Sequence, residues 1–587
     1  MYYKINFLLI ICMFTLLIAD EVVLATHPIH FTGQEHFTTT ELEDALGVDN
    51  KSFFEFWKKD DPRIKSKLLP LFEETITSFY NSEGFYDIKV HINETNTTVD
   101  VTINENEPVR IEEITIESDY NISSLIPMKK NNIFRAKSFI SSKHKIITQL
   151  LKDGYCSYDL DTKAYVDLDK HSVALKYVLT KGGICTFGKL TLQGLKTIDD
   201  DVVISRVRAL EGKRFSTELV QDTSNNLYKL SAYDSVLINV DRKFYNVIPV
   251  DISLKEIAKP YHMEVGAGYD TYVGLRIHGQ ITKYNFFGNA QQLNLKTSWS
   301  KKEQLLILSY FKPAFFSLLD YSIDIGARIG YSNLEFDGFQ EAKIFSRVYI
   351  QHEDGRVKLK VGMAIEGIDI VALDNLREGE ELEQAVNEGL FLLAYPYIDF
   401  VYDARDSKLN PKYGYYLAGY TELGLASDDE SSVYIKTLLE ARIIHTFSDL
   451  TLAAVGKIGI VDDDSGRGLP ESKYFFAGGS FSNRAYGYRE LGIILSPTED
   501  TIYGASSMLN LSLEADYPIW GDDVYGAVFT DNTMLTDQAY NFKGEIISSA
   551  GVGVRYMTPI GPFKLDVGFN VNDPSIYGIS FQIGQSF

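Results

Sequence analysis

Phe563-Lys564-Leu565-Asp566-Val567-Gly568-Phe569-Asn570-Val571, close to the end of the 587-residue chain, alternates without a break. Phe563, Leu565, Val567, Phe569 and Val571 share one face. Lys564, Asp566, Gly568 and Asn570 share the other, because successive strand side chains point to opposite sides of a sheet. Such a strand has one apolar wall and one polar wall. The same code sets Leu509, Leu511, Leu513, Ala515 and Tyr517 against Asn510, Ser512, Glu514 and Asp516. It recurs from Tyr321 to Tyr331, with Ile323, Ile325, Ala327 and Ile329 opposite Ser322, Asp324, Gly326, Arg328 and Gly330. A soluble sandwich alternates too, so the number of strands decides. Candidates begin near Tyr261, Leu275, Ala290, Glu303, Leu319, Ala342, Arg356, Gly389, Tyr413, Ser432, Leu450, Ser507, Val524, Ser548, Gly561 and Tyr577. That is about sixteen, the even number a bacterial outer-membrane barrel requires. Connections after odd strands, such as Ile370–Glu388 and Asp462–Ser506, are expected to be the long external loops.

The start of the chain supplies the route to that membrane. Lys4 precedes an apolar run from Ile5 to Ala19, and Val23-Leu24-Ala25 offers small residues for cleavage. The run is too short for a spanning helix and reads as a secretory signal peptide over 1–25. Cys12 lies inside it without a preceding small residue, which argues against a lipoprotein anchor. An exported chain without a spanning helix can still cross a bilayer as a closed barrel, whose backbone bonds are all made between strands. Composition agrees: 45% of residues are hydrophobic, yet 37 Tyr and 35 Phe bring the aromatic share to 13%, as aromatic girdles demand. A net charge of −23 opposes nucleic-acid binding, which needs a basic face. Part of the acid lies in Arg377–Glu383, which reads as a solvated loop. Of three cysteines, Cys156 and Cys185 survive cleavage; an oxidising compartment makes them a candidate disulfide, and free thiols are equally compatible with the sequence.

Between residue 26 and about residue 260 the period changes, and helices appear between short strands. Ser66–Tyr80 places Leu68, Leu71, Phe72, Ile76 and Phe79 near one helical stripe and ends at Gly84-Phe85-Tyr86. A second helix ends at Gly154-Tyr155, and a third reads Leu227 to Tyr233 with Ala232 in the glycine position. The strands Ile111-Ile114-Ile116 and Phe187-Leu190-Leu192 echo each other as well. Echoes about 75 residues apart define an internal repeat. The expected organisation is three strand-helix-helix-strand-strand units at 26–110, 111–186 and 187–260, followed by the barrel at 261–587.

These three units resemble tandem POTRA domains, the polypeptide-transport-associated modules that precede certain barrels in the periplasm. The long loop carries Phe475-Phe476-Ala477-Gly478-Gly479-Ser480-Phe481-Ser482-Asn483-Arg484-Ala485-Tyr486-Gly487-Tyr488, which is similar to the signature loop of the BamA/TamA superfamily of outer-membrane insertases. The family arginine falls on Arg484 and its aromatic on Tyr486. Asn483 stands where an aliphatic is usual and Ala485 where glycine is usual, so a looser approach of the loop tip to the wall is expected. Further stretches resemble the TamA branch: Tyr261–Tyr269 its first strand, Val401–Gly414 a periplasmic turn, and Gly551–Asp566 its penultimate strands. Phe529-Thr530-Asp531 matches the strand acid that faces the family arginine, with Thr533 in place of glycine. Three repeats rather than five favour the TamA branch.

The resemblance implies an α+β periplasmic region of three POTRA domains and a 16-stranded antiparallel transmembrane barrel in the bacterial outer membrane. It further implies a factor that helps insert or translocate β-rich clients such as autotransporters. The implied partners are the lipid bilayer, unfolded clients and a periplasm-spanning TamB-like inner-membrane protein. Gly478, Gly479, Ser482, Arg484, Tyr486 and Asp531 form the expected lumen contact, with Arg484 paired to Asp531 by charge-assisted hydrogen bonds. Gly266 and Gly268 near one barrel edge and Gly584 and Phe587 near the other form the expected seam, since edge strands template pairing with another chain. A two-partner-type secretion pore is the alternative reading. No Gly-x-Ser-x-Gly or His-Glu-x-x-His pattern sets a base beside a nucleophile, and no cluster has metal-ligand spacing, so no enzyme activity, metal or cofactor is expected.

Overall fold

The computed structural model describes residues 26–47, 63–95, 98–207, 210–240, 246–270, 274–319, 321–336, 339–372, 389–427, 431–464, 466, 468–494, 502–521, 523–558 and 561–583. The expected signal peptide, the Arg377–Glu383 run, Gly584 and Phe587 lie outside them. The chain forms two compact units. One comprises residues up to Lys189 with Glu211–Leu219 and Val240–Pro249; the other comprises Leu190–Leu210, Val220–Asn239 and Val250–Phe587.

The first small sheet contains β1 (Thr26–Thr32), β2 (Arg63–Lys65), β3 (Lys89–Glu94) and β4 (Val99–Asn104) in the order β2-β1-β4-β3, with β1 parallel to β4. Helix α1 (Thr39–Ala45) starts in a capping box, in which Thr38 and Glu41 satisfy each other's backbone N–H. Helix α2 (Phe72–Ser82) buries Phe72, Ile76 and Tyr80, one residue per turn, against Ile29, Val99, Val101 and Ile103. The second sheet has the order β5-β7-β6, from β5 (Arg110–Ser118), β6 (Asp159–Asp167) and β7 (Ser172–Thr180), packed by helix α3 (Ala136–Lys152). Its expected first helix is only a 3-10 turn, Ser123–Leu125. Pro127 follows and holds Ile126 extended, which stops the helix. The third has the order β8-β10-β9, from β8 (Thr186–Gln193), β9 (Tyr233–Val240) and β10 (Val247–Glu256), with helices α4 (Asp200–Val207) and α5 (Thr217–Tyr228).

The joints between repeats follow one plan. Gly84 and Gly154 end their helices with φ of 100° and 81°, a left-handed conformation that glycine adopts without strain. Their carbonyls accept hydrogen bonds from Val109 N–H at 2.8 Å and Cys185 N–H at 2.9 Å. After α5 the positive φ, 52°, falls on Ser231, while the Ala232 carbonyl accepts from Ile257 N–H at 2.9 Å as Gly84 and Gly154 do at their joints. At the second joint Cys156 and Cys185 are bonded, with their Cα atoms 6.0 Å apart.

The remaining strands form one antiparallel sheet in strict sequence order. They are β11 (Tyr261–Asp270), β12 (Gly274–Lys283), β13 (Gln292–Trp299), β14 (Glu303–Leu318), β15 (Tyr321–Glu335), β16 (Phe339–Asp354), β17 (Val357–Ala372) and β18 (Gly389–Asp403). They continue with β19 (Tyr413–Ser427), β20 (Ser431–Phe447), β21 (Leu450–Asp463), β22 (Ser507–Trp520), β23 (Val524–Thr536), β24 (Ile546–Tyr556), β25 (Phe563–Asn570) and β26 (Tyr577–Ile583). The sixteen strands curl until β11 and β26 lie side by side, and among the described residues no pairing register joins these two. The outer wall is apolar: Leu509, Leu511 and Leu513 on β22 and Tyr577, Ile579 and Phe581 on β26 are all exposed. Their polar neighbours face inward, and Asn510 and Glu514 are buried. Among the described residues no helix is long and apolar enough to cross a membrane.

Loop lengths divide in part as expected: the two longest connections, β17–β18 and β21–β22, follow odd strands, but those after β13, β15 and β19 are as short in sequence as most even-to-odd turns. A bulge between Lys312 and Phe316 interrupts the β14–β15 register, with Ala314 at φ 50°. Asp324 on β15 fastens it by accepting from Ala314 N–H at 3.0 Å and from Arg206 on α4 at 2.6 Å.

Candidate functional site: the lumenal loop and its charged seat

The β21–β22 connection is folded rather than loose. Backbone bridges pair Phe475 with Ala505, Ala477 with Leu491 and Ile493 with Tyr503. Gly478 and Gly479 take φ of 100° and 86°, and Ser482 Oγ closes the turn by donating to Gly478 O at 3.0 Å and accepting from Gly478 N–H at 2.8 Å. This turn carries Arg484 into the barrel lumen, where the side chain is 5% exposed.

Arg484 meets Asp531 of β23 in a two-pronged contact: Nε donates to Oδ2 and Nη2 to Oδ1, each at 2.9 Å. Its backbone N–H also donates to Asp531 Oδ2 at 3.0 Å. Nη1 reaches Glu514 Oε2 of β22 at 2.5 Å and lies 3.6 Å from Asp566 Oδ2 of β25. The guanidinium stacks on Phe529, 3.4 Å from the ring centroid. Arg555 of β24 completes the seat by donating to Glu514 Oε1 at 2.8 Å and Asp566 Oδ1 at 2.5 Å, and Lys564 Nζ lies 3.7 Å from Glu514. Arg484 from the loop and Arg555 and Lys564 from the wall thus face Glu514, Asp531 and Asp566 on strands β22, β23 and β25. Charge-assisted bonds of this kind are strong in a low-dielectric interior, and the planar fork fixes the direction of approach.

Tyr486 does not touch the guanidinium. Its hydroxyl accepts from Asn570 Nδ2 at 2.5 Å, which ties the loop to β25 separately. The expected looseness of the tip is not found: Asn483 and Ala485 are both buried. The clearance comes from the wall, because a Cβ on Gly568 or Gly578 would lie 2.8 or 2.6 Å from the Arg484 carbonyl oxygen. The two polar departures from the family pattern meet each other. Asn483 Nδ2 donates to Ile547 O at 3.1 Å and lies 3.5 Å from Thr533 Oγ1, which accepts from Asn510 at 2.9 Å.

Of the expected seam, Gly266 and Gly268 sit in β11 opposite His278 and Arg276 of β12, and the β11–β12 ladder runs through them uninterrupted from Tyr261 to Asp270. Gly266 leaves the space that the His278 ring fills. At the turn after β18, Asp403 holds Arg405 through Nε and Nη2, both at 2.9 Å. Sequence reasoning missed Glu514 and Asp566 as partners of Arg484, and Arg555 and Lys564 as the cations that share those acids. Their one advance signal is a charged residue at an inward position of an alternating strand. Among the described residues no His, Cys, Asp or Glu cluster is arranged to hold a metal.

A model of the Omp85 superfamily domain matches residues 285–587, and a POTRA model described as a surface antigen variable number repeat matches residues 26–108. The chain is 21% identical to the outer membrane protein assembly factor BamA of Nitratidesulfovibrio vulgaris, over 92% of this chain and 70% of that one. It is 19% identical to BamA of Neisseria meningitidis serogroup B, over 95% of this chain and 78% of that one. The crystal structure of BamA from Haemophilus ducreyi lacking POTRA domains 1–3 shares the fold, with a TM-score of 0.53 and 19% identity over 81% of this chain and 99% of that one.

Proposed function

The chain belongs to the Omp85 superfamily, and we propose that it assembles β-rich client proteins into or across the outer membrane through the seam between β11 and β26. Its barrel lies in the outer membrane and its N-terminal POTRA region in the periplasm, within a family of outer-membrane protein assembly and secretion.

The observation that carries the proposal is the wall beside the seam. Among the described residues, β25 and β13, one and two strands in from the seam, have 8 residues each, whereas β14 to β21 have between 14 and 17. At about 3.3 Å per residue, the short strands span about 25 Å before any tilt is allowed for. A wall shorter than the hydrocarbon layer thins the bilayer next to it. Two strand edges without a mutual register, in thinned lipid, offer free backbone groups to an incoming strand. Unpaired groups in hydrocarbon are costly, so the seam favours pairing with a client over standing open.

The finer reading is a TamA-type factor acting on autotransporter-like clients with a periplasm-spanning TamB-like partner. It is supported by the Tyr261–Tyr269, Val401–Gly414 and Gly551–Asp566 stretches and by three N-terminal sheets. The test is a panel of paired cysteines joining Met263 or Val265 on β11 to Ile579 or Phe581 on β26. Oxidative locking of the seam is expected to stop client assembly and reduction to restore it. Assembly that survives locking but is lost when the lumen is blocked would make the protein a two-partner-type secretion pore instead.

A further inference from the structure

The lumenal loop is seated twice, and the second seat lies outside the signature motif. Lys473, ahead of the turn that carries Arg484, is 5% exposed in the lumen. Its Nζ lies 2.8 Å from Glu422 Oε1 on β19 and 3.1 Å from Glu366 Oε2 on β17. It also sits 4.0 Å from the centroid of the Tyr395 ring on β18 and 5.7 Å from that of Tyr434 on β20. Next to it, Ser472 N–H donates to Glu341 Oε2 of β16 at 3.3 Å. One ammonium therefore gathers four consecutive strands, β17 to β20, with Ser472 adding β16, while Arg484 reaches β22, β23 and β25.

The two acids are unequal. Glu366 has a second cation, Arg347 at 2.7 Å, and the Tyr395 hydroxyl at 2.5 Å. Glu422 is otherwise held by the hydroxyls of Tyr420 and of Tyr434, the latter at 3.1 Å, with Lys436 of β20 opposite it in the ladder. Both acids are almost fully buried, so loss of the Lys473 ammonium leaves carboxylate charge less well balanced in the interior. Around the cage, Leu469, Tyr474 and Phe475 of the loop pack with Phe339, Ile368, Phe391, Leu393 and Tyr397 of the wall.

We propose that Lys473 is a positioning residue, a latch that holds the loop across the β16–β20 side of the lumen and keeps the barrel closed to solutes independently of Arg484. The inference rests on the lumen geometry and not on the identity of the clients. Each seat satisfies its own charges with its own strands, and no contact among those described links Lys473 to the Arg484 seat. Opening one should leave the other in place.

The test uses full-length protein in planar bilayers and in sugar-swelling liposomes, with a reporter crosslink between cysteines at Ser482 and Ser512, where Ser512 Oγ donates to Ser482 O at 3.2 Å. Lys473→Met keeps the length and removes the charge. It is expected to raise conductance and sugar permeation several-fold while the reporter crosslink still forms, and Lys473→Arg is expected to return permeation towards the wild-type level. A Lys473→Met barrel as tight as wild type overturns the latch. Loss of the reporter crosslink in that variant overturns its independence from Arg484. Should Lys473→Met fail to reach the heat-modifiable folded form, Glu422→Gln weakens the same cage from the wall side. A leak with an intact crosslink then supports the latch, and no leak overturns it.

Discussion

Arg484 is held by contacts of three kinds: two prongs on Asp531, a second acid at Glu514 and the face of Phe529. Removing one partner of a buried ion pair typically costs about 3–5 kcal/mol, because the charge left behind stays buried. Arg484→Ala is therefore expected to release the loop and impair client assembly while the barrel still folds. Heat-modifiable gel migration reports the barrel, and limited proteolysis near Tyr486 reports the loop; normal assembly with a protease-resistant loop would remove this arginine from the working parts. Arg484→Lys is expected to restore little, since a single ammonium cannot repeat the planar fork. The Arg484–Asp531 contact was readable because a motif named both residues. The rest of the seat was not, since Glu514, Arg555, Lys564 and Asp566 look like any inward residue of an alternating strand until the barrel closes. Lys473 was hidden for a related reason: nothing in Ser472-Lys473-Tyr474 says that Glu366 and Glu422, on distant strands, will converge on it.

At the scale of elements, alternation located the strands well, because an inward slip of one residue would turn a whole apolar face to the lumen. It could not reveal the β14 bulge, where Pro313 and Ala314 break the period, nor the shrinkage of a helix to the turn at Ser123–Leu125. The joints between repeats invite two predictions. The first concerns the Cys156–Cys185 bond, which spans 29 residues, a loop whose closure is worth about 3–4 kcal/mol in the chain-entropy account. Reduction, or Cys156→Ser with Cys185→Ser, is expected to speed amide exchange at Tyr155 and Thr186 while leaving exchange at the Gly84–Val109 joint unchanged. Equal exchange before and after reduction would mean that the hydrogen bonds hold the joint alone. The second concerns Glu105. Burial pushes its carboxyl up, but donors from the His36 ring, Tyr80 and the backbone outweigh that and hold it below the ordinary carboxylate value. A lowered folded-state pKa contributes stability that is present above the unfolded value, near pH 4.5, and is lost as pH falls through the folded one. The first module is expected to loosen in that acid window, seen as faster exchange in α2 (Phe72–Ser82), and Glu105→Gln is expected to flatten the dependence at the expense of stability at neutral pH.

For the whole molecule, the barrel is lopsided. β25 and β13, near the seam, span about 25 Å and the strands opposite about 45–55 Å at 3.3 Å per residue, so the lipid contact is shallow on one side. No single strand of the sequence announces this, because the asymmetry appears only when sixteen lengths are set around a ring and the last strand meets the first. A bilayer must thin at the low wall, by an amount that grows with its own thickness, and the penalty is a fraction of a kcal/mol per Å of mismatch. Thick bilayers should therefore resist the deformation on which insertion at the seam depends, and thin ones should need none of it. In proteoliposomes of increasing acyl-chain length, unaided client insertion is expected to fall steeply. Insertion assisted by this protein is expected to fall less steeply, so the ratio of assisted to unaided rate should rise with thickness and then drop once the low wall can no longer be matched. The cysteine-locked seam separates a local effect from a general softening of the membrane, since locking leaves the wall heights unchanged but denies the edges to a client. A rate ratio that is flat across thickness, or that persists in the locked barrel, would disconnect the low wall from assembly and move the working surface away from β11 and β26.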